Sequence, residues 1–153
     1  MRIGDIEYTR TINNGDYGTV SEITPVSFAL GIKVRPLLVR TQVTRQPNTT
    51  ATSSGGCWLE NGSSVPAGLT ATLCLEEPRL FPLDFMRQTL TTSGVGLGQW
   101  PTELTWWKIL LPDVSIHFVG NAAAEEGQCT LHYRFVELTD DEIIEIAAQR
   151  AQS

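Results

Sequence analysis

The chain has few charged residues and no cluster of basic ones. Charged residues make up 18% of the 153 positions and the net charge is −6, whereas an average soluble domain has about 25% charged residues. Nucleic-acid binding depends on clustered cations that neutralise phosphates, so no direct contact with nucleic acid is expected. We assign Arg35, Arg40 and Arg45 to the polar face of a strand instead.

Long apolar stretches are also missing. No segment approaches the roughly 20 apolar residues that a membrane-spanning helix requires. The opening residues Met1-Arg2-Ile3-Gly4-Asp5 lack the apolar core of a signal peptide. These absences predict a chain without a membrane span that is cytoplasmic, or located in the virion if the protein is viral.

Metal-binding and nucleophilic residues are scarce. The three cysteines, Cys57, Cys74 and Cys129, are odd in number and irregularly spaced, which predicts reduced thiols and no disulfide framework. The only histidines, His117 and His132, fall on the last two predicted strands, where a hairpin would place them opposite each other. No third ligand has suitable spacing, so we predict no metal, no cofactor and no catalytic residue.

What the sequence does contain is alternation of apolar and polar residues, the pattern of half-buried strands. Asn13-Asn14-Gly15-Asp16 carries the Asn-Gly pair of a tight turn, which predicts a hairpin whose second strand covers residues 17–24. Residues 81–90 fit either a helix or a strand, and residues 47–56 and 91–103 are predicted loops. The predicted strands lie at residues 6–12, 17–24, 26–30, 32–46, 69–75, 104–111, 114–118 and 130–135, and residues 57–60 are a candidate for a further short strand.

The C-terminal segment has a clear helix signature. Thr139 followed by Glu142 forms a capping box, and Leu138 with Ile143 can close a hydrophobic staple around it. We therefore predict a helix at about residues 140–151. Together with the short strands, this predicts one domain over residues 1–153, a mainly β fold built as an antiparallel β-sandwich or jelly-roll-like barrel with one short C-terminal helix.

Tryptophans and the apolar stripe of this helix are the candidate contact residues. Adjacent strand residues point to opposite faces, so one of Trp106 and Trp107 can fill the core while the other meets a partner. The favoured hypothesis is a non-enzymatic structural protein that associates with copies of itself or other structural subunits, such as a small virion or phage capsid or decoration subunit. The predicted interface residues are Trp106, Trp107, Ile143, Ile144 and Ala147.

A second hypothesis belongs to a different class. The chain could be a carbohydrate- or peptide-binding β-sandwich module, in which Trp58 and Trp100 serve as stacking platforms for a ligand. An enzyme is the least favoured class, because no acid, base and nucleophile have convergent spacing.

Overall fold

The computed structural model describes residues 1–46, 53–62, 65–88, 100–120 and 125–151. Within these residues two antiparallel sheets and two helices form. Sheet I contains β1 (Arg2–Ile3), β2 (Tyr8–Tyr17), β4 (Val34–Gln46), β7 (Trp100–Ile109) and β9 (Glu125–Glu137). Sheet II contains β3 (Glu22–Ser27), β5 (Ser53–Glu60), β6 (Leu80–Gln88) and β8 (Asp113–Val119). The helices are α1 (Ala71–Glu76) and α2 (Asp140–Ala151).

The strands pair in a nested order. β2 pairs with β9, β3 with β8, β4 with β7, and β5 with β6. A ribbon folded back at its middle and then rolled into two sheets gives this winding, which is that of the jelly roll. The predicted fold class, a mainly antiparallel β-sandwich or jelly-roll-like barrel with one short C-terminal helix, is confirmed.

The main core lies between the two sheets. Along β9, for example, Cys129, Leu131 and Tyr133 point inward at every second position, as the pleat of a strand requires. Sheet II meets them with residues such as Ile116 and Phe118 from β8. Residues between these inward positions therefore lie on the outer face of each sheet.

Several local predictions are wrong. Residues 53–56 and 100–103, predicted as parts of loops, lie in β5 and β7. The Asn13-Asn14-Gly15-Asp16 segment lies inside β2, where the register against β9 shifts between Asn14 and Tyr17, so it forms a β-bulge and not a hairpin turn. Residues 71–75, predicted as part of the strand at 69–75, lie in helix α1, because the Thr70 hydroxyl accepts from the Leu73 amide and caps the helix. The open choice at residues 81–90 is a strand as far as Gln88.

The predicted hairpin of the last two strands is also wrong. β8 pairs with β3 and β5 in sheet II, whereas β9 pairs with β1, β2 and β4 in sheet I. His117 and His132 consequently lie in different sheets and are not opposite each other. Nested pairing joins strands that are distant in sequence, which local alternation does not reveal.

Each sheet carries a different element on its outer face. Helix α2 packs on sheet I, where Ile143 and Ile146 lie against a cluster of Leu37, Val136 and Leu138. Sheet II is overlaid by the connection from β5 to β6, described at residues 61–62 and 65–79, which we call the cover. Its side chains, Cys74 among them, form a small second core with residues of sheet II.

The outermost strands are irregular. β2, β6 and β7 each contain one residue more than the adjacent strand across a register shift. Both edge strands of sheet II also contain a proline, Pro25 in β3 and Pro82 in β6. Bulges and prolines are the usual protection of sheet edges against pairing with another chain.

Candidate assembly surface and polar centres

Trp106 and Trp107 lie on opposite faces of β7. The Trp106 side chain packs against the main core and its indole Nε1–H donates to the Thr41 hydroxyl over 2.8 Å. Trp107 is 65% exposed and lies on the outer face of sheet I, two residues before Ile109, which belongs to the cluster under α2. Large exposed aromatic side chains are typical of protein contact sites.

Helix α2 divides into a packed and an open side. Its predicted bounds are confirmed, and the reciprocal cap forms, with the Thr139 amide donating to Glu142 Oε1 and the Glu142 amide to Thr139 Oγ1. Ile143 is partly buried against sheet I, whereas Ile144 is 65% exposed and Ala147 is exposed. The interface role of Trp106, Trp107, Ile143, Ile144 and Ala147 stays a prediction.

A polar network crosses the outer face of sheet I. Arg40 Nη2 lies 3.3 Å from His132 Nδ1, and His132 Nε2 lies 3.0 Å from Gln42 Oε1. His132 therefore lies between the Arg40 guanidinium and the side-chain amide of Gln42. Glu103 and Glu7 complete the network around Arg40, at 3.5 and 3.9 Å.

His117 has a different environment beneath the cover. It is fully buried, and its Nε2 lies 2.8 Å from Glu60 Oε2. The other oxygen of Glu60 accepts from the Val65 amide of the cover over 3.0 Å. Glu60 therefore links sheet II to the cover through one carboxylate.

A third centre, which the sequence analysis missed, lies between the sheets. Arg45 Nε donates to Asp84 Oδ2 over 2.6 Å, and the Thr102 hydroxyl donates to Asp84 Oδ1 over 2.8 Å. Burial lowers the pKa of Arg45, but the Asp84 carboxylate and Tyr17 outweigh it and raise the pKa overall. Burial raises the pKa of Tyr17 to about 12. The assignment of Arg45 to a polar strand face is thus wrong, because it points inward, where Asp84 of the other sheet neutralises it.

These centres do not assemble into a metal site. The described residues contain no group of three or more histidine, cysteine, aspartate and glutamate side chains that could hold an ion. Cys57, Cys74 and Cys129 are free and buried, and burial raises the pKa of Cys57 well above its usual value. A protonated, enclosed thiol is a poor nucleophile.

The two predicted stacking tryptophans fare differently. Trp58 is fully buried under the cover, so its ring has no face for a ligand and its predicted stacking role is wrong. Trp100 begins β7 opposite Arg45, but its side chain lies outside the described part of the chain.

The nested strand pairing is the winding of a jelly roll. No protein-family model and no curated protein sequence matches the chain. A structure of turnip yellow mosaic virus is 10% identical over 87% of this chain and 81% of its own, with a TM-score of 0.41. The empty head of the same virus is 14% identical over 90% and 86%, with a TM-score of 0.35.

A structure of infectious bursal disease virus, Gx strain, is 12% identical over 92% of this chain and 42% of its own, with a TM-score of 0.19.

In the part of the chain that the structure describes, neither helix has the length and apolar character to cross a bilayer.

Proposed function

We propose that this chain is a non-enzymatic structural subunit that associates with copies of itself, as a small capsid or decoration subunit of a virion does. The observation that carries the proposal is the 65% exposure of Trp107 on the same face as the docked helix α2. A tryptophan in that position leaves a large apolar ring in water, and burying it against a second subunit is favourable.

Two further features support association through side chains. Ile144 is exposed to the same extent as Trp107, and it stands on a helix already anchored to sheet I by Ile143 and Ile146. The protected sheet margins disfavour strand addition, so contacts between copies would use faces and helices. Jelly rolls occur in both capsid and lectin domains. The proposed location in a virion therefore depends on the analogy between this fold and that of capsid domains.

The test is the oligomeric state of the purified chain and of two variants. Light scattering coupled to size exclusion, followed by electron microscopy, should reveal closed oligomers or particles. Trp107→Ala and Ile144→Asp should shift the population toward monomer while the far-UV circular dichroism stays unchanged. Thr105→Ala, an exposed neighbour on the same strand, is the matched control and should assemble normally.

A chain that stays monomeric at high concentration, or a Trp107→Ala variant that assembles like the parent, would contradict the proposal. A Trp107→Ala variant that loses its thermal transition would also contradict it, since the side chain would then stabilise the monomer itself.

A further inference from the structure

A polar cleft opens on the outer face of sheet I, at the end away from α2. It has a volume of about 320 Å³. Three of its side chains form a row across three adjacent strands, since Gln128 of β9 pairs with Asn13 of β2 on one side and with Thr44 of β4 on the other. Among the residues that the structure describes, the lining is formed by Asn13, Asn14, Gly15, Thr44, Glu126, Gly127 and Gln128.

The bulge in β2 and two glycines shape this cleft. A Cβ added at Gly15 would have no atom within 4 Å, so the space beside it is open. A Cβ at Gly127 would collide with the Phe118 ring, so that glycine is required by the core. The Asn-Gly sequence that resembled a turn signal thus supplies the opening at one margin of the cleft.

The lining residues that the structure describes offer paired donors and acceptors and include no apolar residue. Gln128 Nε2 donates to Asn13 Oδ1 over 2.9 Å, a bond that does not use the Asn13 NH2 donors or the Gln128 carbonyl oxygen as acceptor. The Thr44 hydroxyl and the Glu126 carboxylate stand beside them. Adjacent amide donors and acceptors are suited to neighbouring hydroxyl groups, each of which donates one hydrogen bond and accepts others.

We propose that this cleft binds a neutral saccharide through its adjacent hydroxyl groups. The site requires no tryptophan and goes beyond a role in assembly. The described lining contains the carboxylate of Glu126 and no cationic side chain, and the net charge of the chain is −6, so acidic sugars are repelled. A peptide would find no apolar residue, among those described in the lining, on which to bury its own apolar side chains.

The test is a titration of the labelled chain with neutral trisaccharides of glucose, mannose and galactose, followed by amide chemical shifts. At least one of them should give saturable shifts at residues 13–15, 44 and 126–128. The trimer of galacturonic acid, a charged counterpart, should give none. Gln128→Ala should weaken binding roughly fivefold, the effect of losing one neutral hydrogen bond.

Gly15→Leu provides the decisive variant, because it fills the open space and removes no polar group of the cleft. It should abolish the shifts, whereas Gly18→Leu, at a second glycine with open surroundings outside the cleft, should bind like the parent. The proposal is overturned if no neutral trisaccharide gives saturable shifts, if the acidic trimer binds equally well, or if Gly15→Leu leaves the affinity unchanged. Oligomeric state is measured separately, so failure here does not affect the assembly proposal.

Discussion

The two sheets differ in how far the apolar side chains on their outer faces are buried. Sheet II is overlaid by the cover, and Trp58 and His117 beneath it are fully buried. In the part of the chain that the structure describes, sheet I carries α2 at one end, and Trp107 at its margin is 65% exposed. One face is therefore completed within the chain, whereas the other retains apolar surface that a second molecule could bury.

A histidine beside a carboxylate occurs on both faces, with different consequences. Glu60 is 4% exposed and connects His117 to the cover. Glu7 lies 3.4 Å from His132, with its side chain 36% exposed, where water screens the interaction. The same pair of residue types is thus structural under the cover and nearly neutral in energy on the open face.

The largest expected effect separates two tryptophans. Trp58→Ala should lower the free energy of unfolding by about 3–5 kcal/mol, because it empties the small core under the cover. Trp107→Ala should change the stability of the monomer by no more than about 0.5 kcal/mol. Urea denaturation at a concentration that keeps both variants monomeric measures the difference. Equal losses would show that the two faces do not differ as described.

The next effect compares the two carboxylates. Glu60→Gln should cost about 2 kcal/mol, since it replaces a buried acceptor shared by His117 and the Val65 amide with a group that cannot accept at both positions. Glu7→Gln should cost less than about 0.5 kcal/mol. Denaturation midpoints at neutral pH give both values, and a larger loss from Glu7→Gln would reverse the comparison.

A smaller effect concerns the helix on the open face. Thr139→Ala removes the hydroxyl that caps α2 and should lower stability by about 1 kcal/mol. Thr139→Ser, which keeps the hydroxyl, should restore most of it. Loss of helix signal in circular dichroism for the alanine variant alone is the expected readout, and equal behaviour of both variants would argue against the cap.

The last effect, which is absent at neutral pH, is a pH dependence of the cover. Burial raises the pKa of Cys74 to about 11 from the usual 9.0. The unfolded chain therefore releases this proton first, and the contribution of Cys74 to stability is complete below pH 9 and is lost as the pH rises toward 11. Denaturation midpoints of the parent and of Cys74→Ala across this interval measure it, and parallel curves would contradict it.

The features that could be predicted from the sequence are those that depend on residues close together in the chain. The α2 boundaries followed from Thr139 and Glu142, because a capping box is formed by residues three positions apart. Inward and outward alternation along β9 likewise follows from the pleat of a strand. These features depend on neighbours in sequence and could be predicted without knowing the partner strand.

Features that depend on distant partners were not accessible in this way. Asn14-Gly15 serves equally well in a turn or a bulge, and only the continued pairing of β2 with β9 decides between them. The sequence favoured a polar strand face for Arg45. In the structure Arg45 is buried, because Asp84 on a strand of the other sheet supplies its counter-charge. The cleft escaped detection for the same reason, since its row of side chains comes from three strands far apart in the chain.

The irregular margins of both sheets also limit how copies could come together. If the edge strands were open, further molecules could add to them through main-chain hydrogen bonds, which do not depend on side-chain identity. Such addition can continue without limit and produces fibrils. Because these edges are interrupted, association must depend on complementary side-chain contacts. Such contacts fix the orientation of the two molecules, and one substitution can disrupt them. That condition favours finite objects over fibres.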